Sequence, residues 1–172
     1  MLMRPCITLV MIMTACLSGC GGGSGSGSPI PASSDAVKLA PNGISAGLPP
    51  VGTPVYHLDK VGDVTSPITK QPVIVSMAGD LTASGFAIDQ KNKNVAGGVE
   101  VAIDGLPFIA HYGIDRPDVA TFFKNPVYAK TGYSFAMAAR LLGAGKHQLA
   151  VRVIANDKKS YAEGPMLSFE IQ

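Results

Sequence analysis

An all-β domain is what this sequence predicts, and three observations predict it. Short apolar runs with a period of two recur from Val55 onward, separated by turn residues. Val, Ile and Ala dominate those runs, charged residues make up only 15% of the chain, and Trp is absent. Asp104-Gly105, set between two such runs, is a tight-hairpin signal, because both positions of a type I′ turn need positive φ.

Taken in order, residues 55–58 read as a first strand and residues 73–75, after Pro72, as a second. Residues 81–89 read as a third, with an imperfect period. Leu81 and Ala83 share one face while Phe86 and Ile88 share the other, and a bulge near Gly85 would reconcile them. In residues 98–104, Val99, Val101 and Ile103 point one way, while Glu100 and Asp104 point the other, toward solvent. Residues 106–112 return from the Asp104-Gly105 turn as the partner strand. Asp115 then has the chemistry of a helix cap, Pro117 suits a first turn, and Asp118 follows at capping-box spacing. A helix of about two turns follows, with Val119, Phe122 and Phe123 on its apolar face, and Asn125-Pro126 ends it. Three strands close the chain. Tyr133, Phe135 and Met137 alternate with Ser134 and Ala136, Leu149, Val151 and Val153 with Ala150 and Arg152, and Leu167, Phe169 and Ile171 with Ser168 and Glu170. Turns fall at residues 143–145 and 156–157. Seven or eight short strands at this spacing predict an immunoglobulin-like β-sandwich with one short helix over residues 55–172.

Before that domain the text differs. Arg4 supplies a positive start, and residues 7–17 form an apolar run too short for a membrane-spanning helix, which needs about 20 residues. Small residues precede Cys20. Leu17-Ser18-Gly19-Cys20 matches the lipobox at every position, so the front of the chain resembles bacterial lipoproteins. That resemblance implies a signal peptide over residues 1–19, acylation of Cys20 and cleavage before it. It also implies residence in the bacterial cell envelope and, with Gly21 after the cysteine, sorting to the outer membrane. Several acyl chains on one residue hold a protein on a bilayer where one chain is marginal. Residues 20–54, Gly/Ser-rich and then Pro-rich, are expected to be a disordered linker. A coil of that length reaches on the order of 30 Å from the membrane.

Charge excludes some partners. Without Arg4 the chain keeps 13 basic against 12 acidic residues, with no basic run longer than Lys158-Lys159, so it has no footprint for nucleic acid. All three cysteines, Cys6, Cys16 and Cys20, precede the domain, which therefore carries no disulfide.

Six segments of the domain look similar to a bacterial Ig-like module. They are residues 84–89, 98–105, 112–120 with its Asp115-Arg116-Pro117-Asp118-Val119 run, 123–128 with Asn125-Pro126, 131–135 and 145–149. That module recurs as an accessory domain in envelope proteins linked to cell-surface glycans. Phe86 stands where it commonly has Trp. The resemblance implies a non-catalytic accessory, working through another envelope protein or a glycan.

Few residue groups offer chemistry. Asp115, Arg116 and Asp118 are the most suggestive cluster, as ligands for glycan hydroxyls or calcium; helix capping and an ion pair that fixes the helix on the sandwich are favoured over that role. Tyr112 and Tyr128 join them as candidate binding residues, among aromatics that also include Phe122, Phe123, Tyr133 and Tyr161. His57, His111 and His147 lack metal-ligand spacing, and no cofactor is called for. Gly43-Ile44-Ser45-Ala46-Gly47 is a formal G-x-S-x-G match, but it lacks the strand before and helix after that a nucleophile elbow requires. No pair of carboxylates is placed for glycosidase work. The expectation is a protein that is not an enzyme.

Overall fold

The computed structural model describes residues 39–172. The expected signal peptide, the lipobox match at residues 17–20 and the Gly/Ser part of the expected linker lie outside the described residues. The rest is an all-β sandwich of two packed sheets with one short α-helix, as expected.

Twelve strands build it: β1 Val55–Val61, β2 Val64–Thr65, β3 Val73–Val75, β4 Asp80–Asp89, β5 Asn94–Val95, β6 Gly98–Ile103, β7 Leu106–Ile109, β8 His111–Ile114, β9 Gly132–Ala138, β10 Gly145–Ile154, β11 Tyr161–Glu163 and β12 Leu167–Ile171. The helix α1 is Pro117–Phe122. One sheet runs β2-β1-β4-β9-β8 with β5 added to β4; the other runs β3-β12-β10-β6-β7 with β11 added to β10. Inward side chains of both sheets form a single main core. Leu58, Val61, Leu81, Val101, Tyr133, Leu149, Val151 and Phe169 are among its members, each at most 2% exposed. Apolar burial of this kind is the chief stabilising contribution in a domain that has no cysteine.

The expected alternation holds in β9, β10 and β12, and the Asp104-Gly105 turn has φ of 50° and 83° as a type I′ turn requires. Four expectations are corrected. The bulge lies in β1, not β4: Leu58 pairs with Gly85 and Lys60 with Ser84, leaving Asp59 as the extra residue. The extra residue turns Val61 back to the core side, so Leu58 and Val61 are both buried although three apart. β4 itself alternates without a break. Phe86 and Ile88 lie on its outer face, where Ile88 joins a second apolar cluster with Val119 and Tyr128.

The return strand after Asp104-Gly105 is two strands. β7 pairs with β6 in one sheet and β8 with β9 in the other, and the chain changes sheets at buried Ala110. Helix α1 begins one residue later than Asp115 would set it. Pro117 at its first position holds Arg116 in a non-helical conformation (φ −139°, ψ 68°), so Arg116 is the capping residue and no side chain caps the helix. Its apolar face is narrower than expected. Val119 is buried and Phe123 packs against Phe86 and Tyr128, while Phe122 is 79% exposed.

The fourth correction concerns the outer face of β6. Glu100, expected to face solvent, is fully buried. Residues 42–51 of the expected linker are hydrogen-bonded across that face as a strap. Asn42 and Gly43 donate to the Pro107 carbonyl at 3.2 and 3.0 Å, and Val51 donates to the Tyr161 carbonyl at 2.7 Å. Gly43 is needed for the close approach, since a Cβ there would lie 2.4 Å from Pro107 Cβ.

Candidate functional site

Three places combine polar or aromatic side chains in a way that could serve function. The first surrounds Arg116. The β1 bulge turns Asp59 toward α1, and Arg116 reaches back from the helix start to meet it. Arg116 donates to Asp59 Oδ2 at 2.7 Å and, through Nε and a terminal nitrogen, to both Asp118 oxygens at 2.9 and 2.7 Å. Its guanidinium lies 5.3 Å from the Phe86 ring centre, and His57 stacks on the same ring while contacting Asp59. The hydrogen bond from Arg116 holds the Asp118 carboxyl down to about 2, and the same bond raises Arg116 above its ordinary value. Both carboxylates are thus engaged by one guanidinium of the same chain, which fastens α1 to β1. Asp115 stands apart, paired with Lys130 at 2.8 Å on the surface.

Tyr128 is placed as a packing residue, and Tyr112 is partly buried with its hydroxyl engaged by the backbone. Tyr128 is 4% exposed, edge-on to Phe123. The Tyr112 hydroxyl donates to the Ala87 carbonyl at 2.8 Å and accepts from the Ala96 amide at 2.9 Å, tying β8 to β4 and to the chain before β6. Burial pushes its phenol up to about 12, against the smaller opposing effect of the Ala96 amide. The sequence-derived candidates therefore divide: Arg116 and Asp118 meet, while Asp115, Tyr112 and Tyr128 are separate.

The second place is the strap over β6. Glu100 Oε1 accepts the amides of Ile44 and Ser45, the latter at 2.8 Å, while Oε2 has no hydrogen-bond partner among the described residues. Beside it across the sheet, Arg152 bonds Glu163 and, at 3.2 Å, the Ser45 hydroxyl; its guanidinium lies 5.1 Å from the centre of the Tyr161 ring. Ser45 of the G-x-S-x-G match is thus a strap residue, not the nucleophile of an elbow. Neither Glu100 nor Asp59 was a candidate by sequence. The lone signal was a carboxylate in the middle of an otherwise apolar strand, and alternation alone assigns such a residue to solvent.

The third place is a cleft of about 560 Å³ at one end of the sandwich. Gln90, Lys91, Asn92, Asp157, Ser160 and Tyr161 are among the residues that line it. Asp89, 8% exposed, anchors its floor by accepting from the Asn156 amide at 2.8 Å and from the Asn92 amide and side chain at 3.1 and 2.7 Å. Burial alone would raise its pKa, but these donors outweigh burial and the net shift is downward. Among the described residues, no three His, Cys, Asp or Glu side chains group closely enough to hold a metal ion, and no helix is long and apolar enough to cross a membrane.

No protein-family model matches this chain, and no curated protein matches it either. Among solved structures, an endo-beta-1,4-mannanase from Thermotoga petrophila is similar over 70% of this chain, with a TM-score of 0.42 and 11% identity. The match spans 19% of the mannanase chain.

Proposed function

We propose that this protein is a lipid-anchored, non-catalytic β-sandwich module of the bacterial cell envelope that acts by contact with another envelope protein. Cys20 carries the lipid in this reading. The observation that supports protein contact is the exposed apolar surface around α1. Phe122 is 79% exposed, and Ile114 and Val127 on the flanking segments are 37% and 48% exposed. Large apolar side chains displayed together mark interaction surfaces. Of the charged groups around them, Arg116, Asp118, Asp115 and Lys130 are engaged with one another or with Asp59, which leaves the apolar side chains as the main adhesive element. Placing a photo-cross-linker at position 122 in cells tests this. One discrete adduct, lost in the Cys20→Ala protein, is expected; an unchanged pattern after Cys20→Ala, with palmitate-analogue labelling persisting, would overturn the anchored reading.

A second reading has its own support in the Asp89 cleft. Amide, carboxylate and hydroxyl side chains beside Tyr161 are the groups that bind sugar hydroxyls and stack on a sugar ring. Retardation in gels containing envelope polysaccharide, reduced by Asn92→Ala and Ser160→Ala, is the expected result of that reading. Migration unaffected by every such polysaccharide removes it.

A further inference from the structure

The strap occupies the face of β6, β10 and β11 mainly through its backbone. Its amides at Asn42, Gly43, Ile44, Ser45 and Val51 donate to the domain, and the Pro49 carbonyl accepts from the Tyr161 amide at 3.2 Å. Its side chains add two acceptors, Asn42 Oδ1 for the Ile109 amide at 3.0 Å and the Ser45 hydroxyl for Arg152 at 3.2 Å, but bury little apolar surface: Ile44 is 42% and Val51 47% exposed, and of the residues between them only Ser45 is buried. A segment held by main-chain hydrogen bonds with few buried apolar contacts belongs to the part of a structure that opens most readily. Beneath it, Glu100 has one oxygen bound to two consecutive amides and the other buried without a partner among the described residues. A buried, unpaired carboxylate oxygen is costly, and opening the strap would relieve that cost by hydration.

From this geometry we infer that the face built by Glu100, Arg152 and Tyr161 is an acceptor groove for an extended polypeptide segment of another protein, with the strap as its displaceable occupant. Glu100 grips two successive free amides, and the Tyr161 backbone continues the pairing in parallel, as at the Pro50–Tyr161 bridge. Recognition through amides rather than side chains is how extended peptides join sheet edges in other proteins. The strap competes in cis, so a partner segment binds weakly until the strap is loosened. This surface is distinct from the one around Phe122 and adjoins the Asp89 cleft, with which it shares Val51 and Tyr161; the inference stands on the strap geometry alone.

The probe is a labelled peptide with the sequence of residues 40–52, added to the full-length chain and to its Gly43→Val variant, whose side chain would collide with Pro107 and so loosen the strap. Saturable binding to the variant at concentrations at least about tenfold lower than to the unaltered chain is expected. The same peptide N-methylated at the positions of Ile44 and Ser45 should lose that binding. Equal binding of the methylated peptide, or no saturable binding to a Gly43→Val chain that keeps its β-sheet circular dichroism, overturns the inference. Hydrogen exchange on the unaltered chain is the second measurement. The Ile44 and Ser45 amides should exchange at least about tenfold faster than that of Val151 at the core of β10, and equal protection would show a strap that does not open.

Discussion

Asp59 and Arg116, 57 positions apart in the chain, meet at 2.7 Å because a bulge in β1 turns the aspartate out of the strand and toward the start of α1. The bulge serves two ends at once: it returns Val61 to the core, and it supplies the acceptor that fastens the helix. Arg116 also bonds both oxygens of Asp118 and covers Phe86.

Arg116→Ala should therefore destabilise the domain by about 1–2 kcal/mol, through lost charged hydrogen bonds and lost cover on Phe86. Asp118→Ala should have a smaller effect, since Asp118 is exposed and does not cap the helix. Urea unfolding of the two variants checks the order. Arg116→Lys should recover little, because a lysine cannot bridge Asp59 and Asp118 in one plane.

Gly85 faces the same bulge. A Cβ at this position would lie 1.9 Å from the His57 carbonyl oxygen and 2.9 Å from the Tyr133 hydroxyl, so β1 and β4 could not keep their spacing. Gly85→Ala should cost about 1–3 kcal/mol, the usual range for overpacking, and is read as a lower urea midpoint. A variant as stable as the unaltered chain would mean that β1 yields at the bulge without loss.

Local pattern made the strands legible where each face had one environment. Val99, Val101 and Ile103 in β6, and Leu167, Phe169 and Ile171 in β12, face the core as their alternation indicates. It misled where a distant segment covers the other face. Glu100 lies under a strap 55 residues earlier, and Phe86 and Ile88 lie under α1 and the turn after it. The change of sheet at Ala110 left no turn residue to mark it, so β7 and β8 read as one strand. For the candidate site, Arg116 with Asp118 was visible as a charged run beside a helix start. Its third member, Asp59, was not, because only the bulge brings it there.

Tyr112 joins three segments through one hydroxyl, so Tyr112→Phe should cost about 1–2 kcal/mol. The phenol also carries a pH signature. Its folded-state value is raised to about 12 by burial, above the ordinary value near 10. Its contribution is fully present below the ordinary value and is lost as pH rises through the folded one. Alkaline unfolding curves of the unaltered chain and Tyr112→Phe should thus converge between about pH 10 and 12. A stability gap constant across that window would mean that the phenol titrates as if exposed.

Asp89 has the opposite sign. Its folded pKa is depressed by the amides and side chain of Asn156 and Asn92 despite its burial, so the carboxylate is the form that the fold prefers. Stability from this group is present above the ordinary aspartate value of about 3.9, and it is lost as pH falls through the lower folded value. Asp89→Ala leaves the Asn92 and Asn156 amides without their acceptor and should cost about 1–3 kcal/mol at neutral pH. Asp89→Asn keeps the volume but cannot titrate, so its melting temperature should fall less steeply than that of the unaltered chain below pH 4. Because the same carboxylate anchors the floor of the end cleft, both variants should also loosen residues 90–92. Parallel acid profiles for Asp89→Asn and the unaltered chain would mean that other carboxylates set the acid limit and that Asp89 is no anchor.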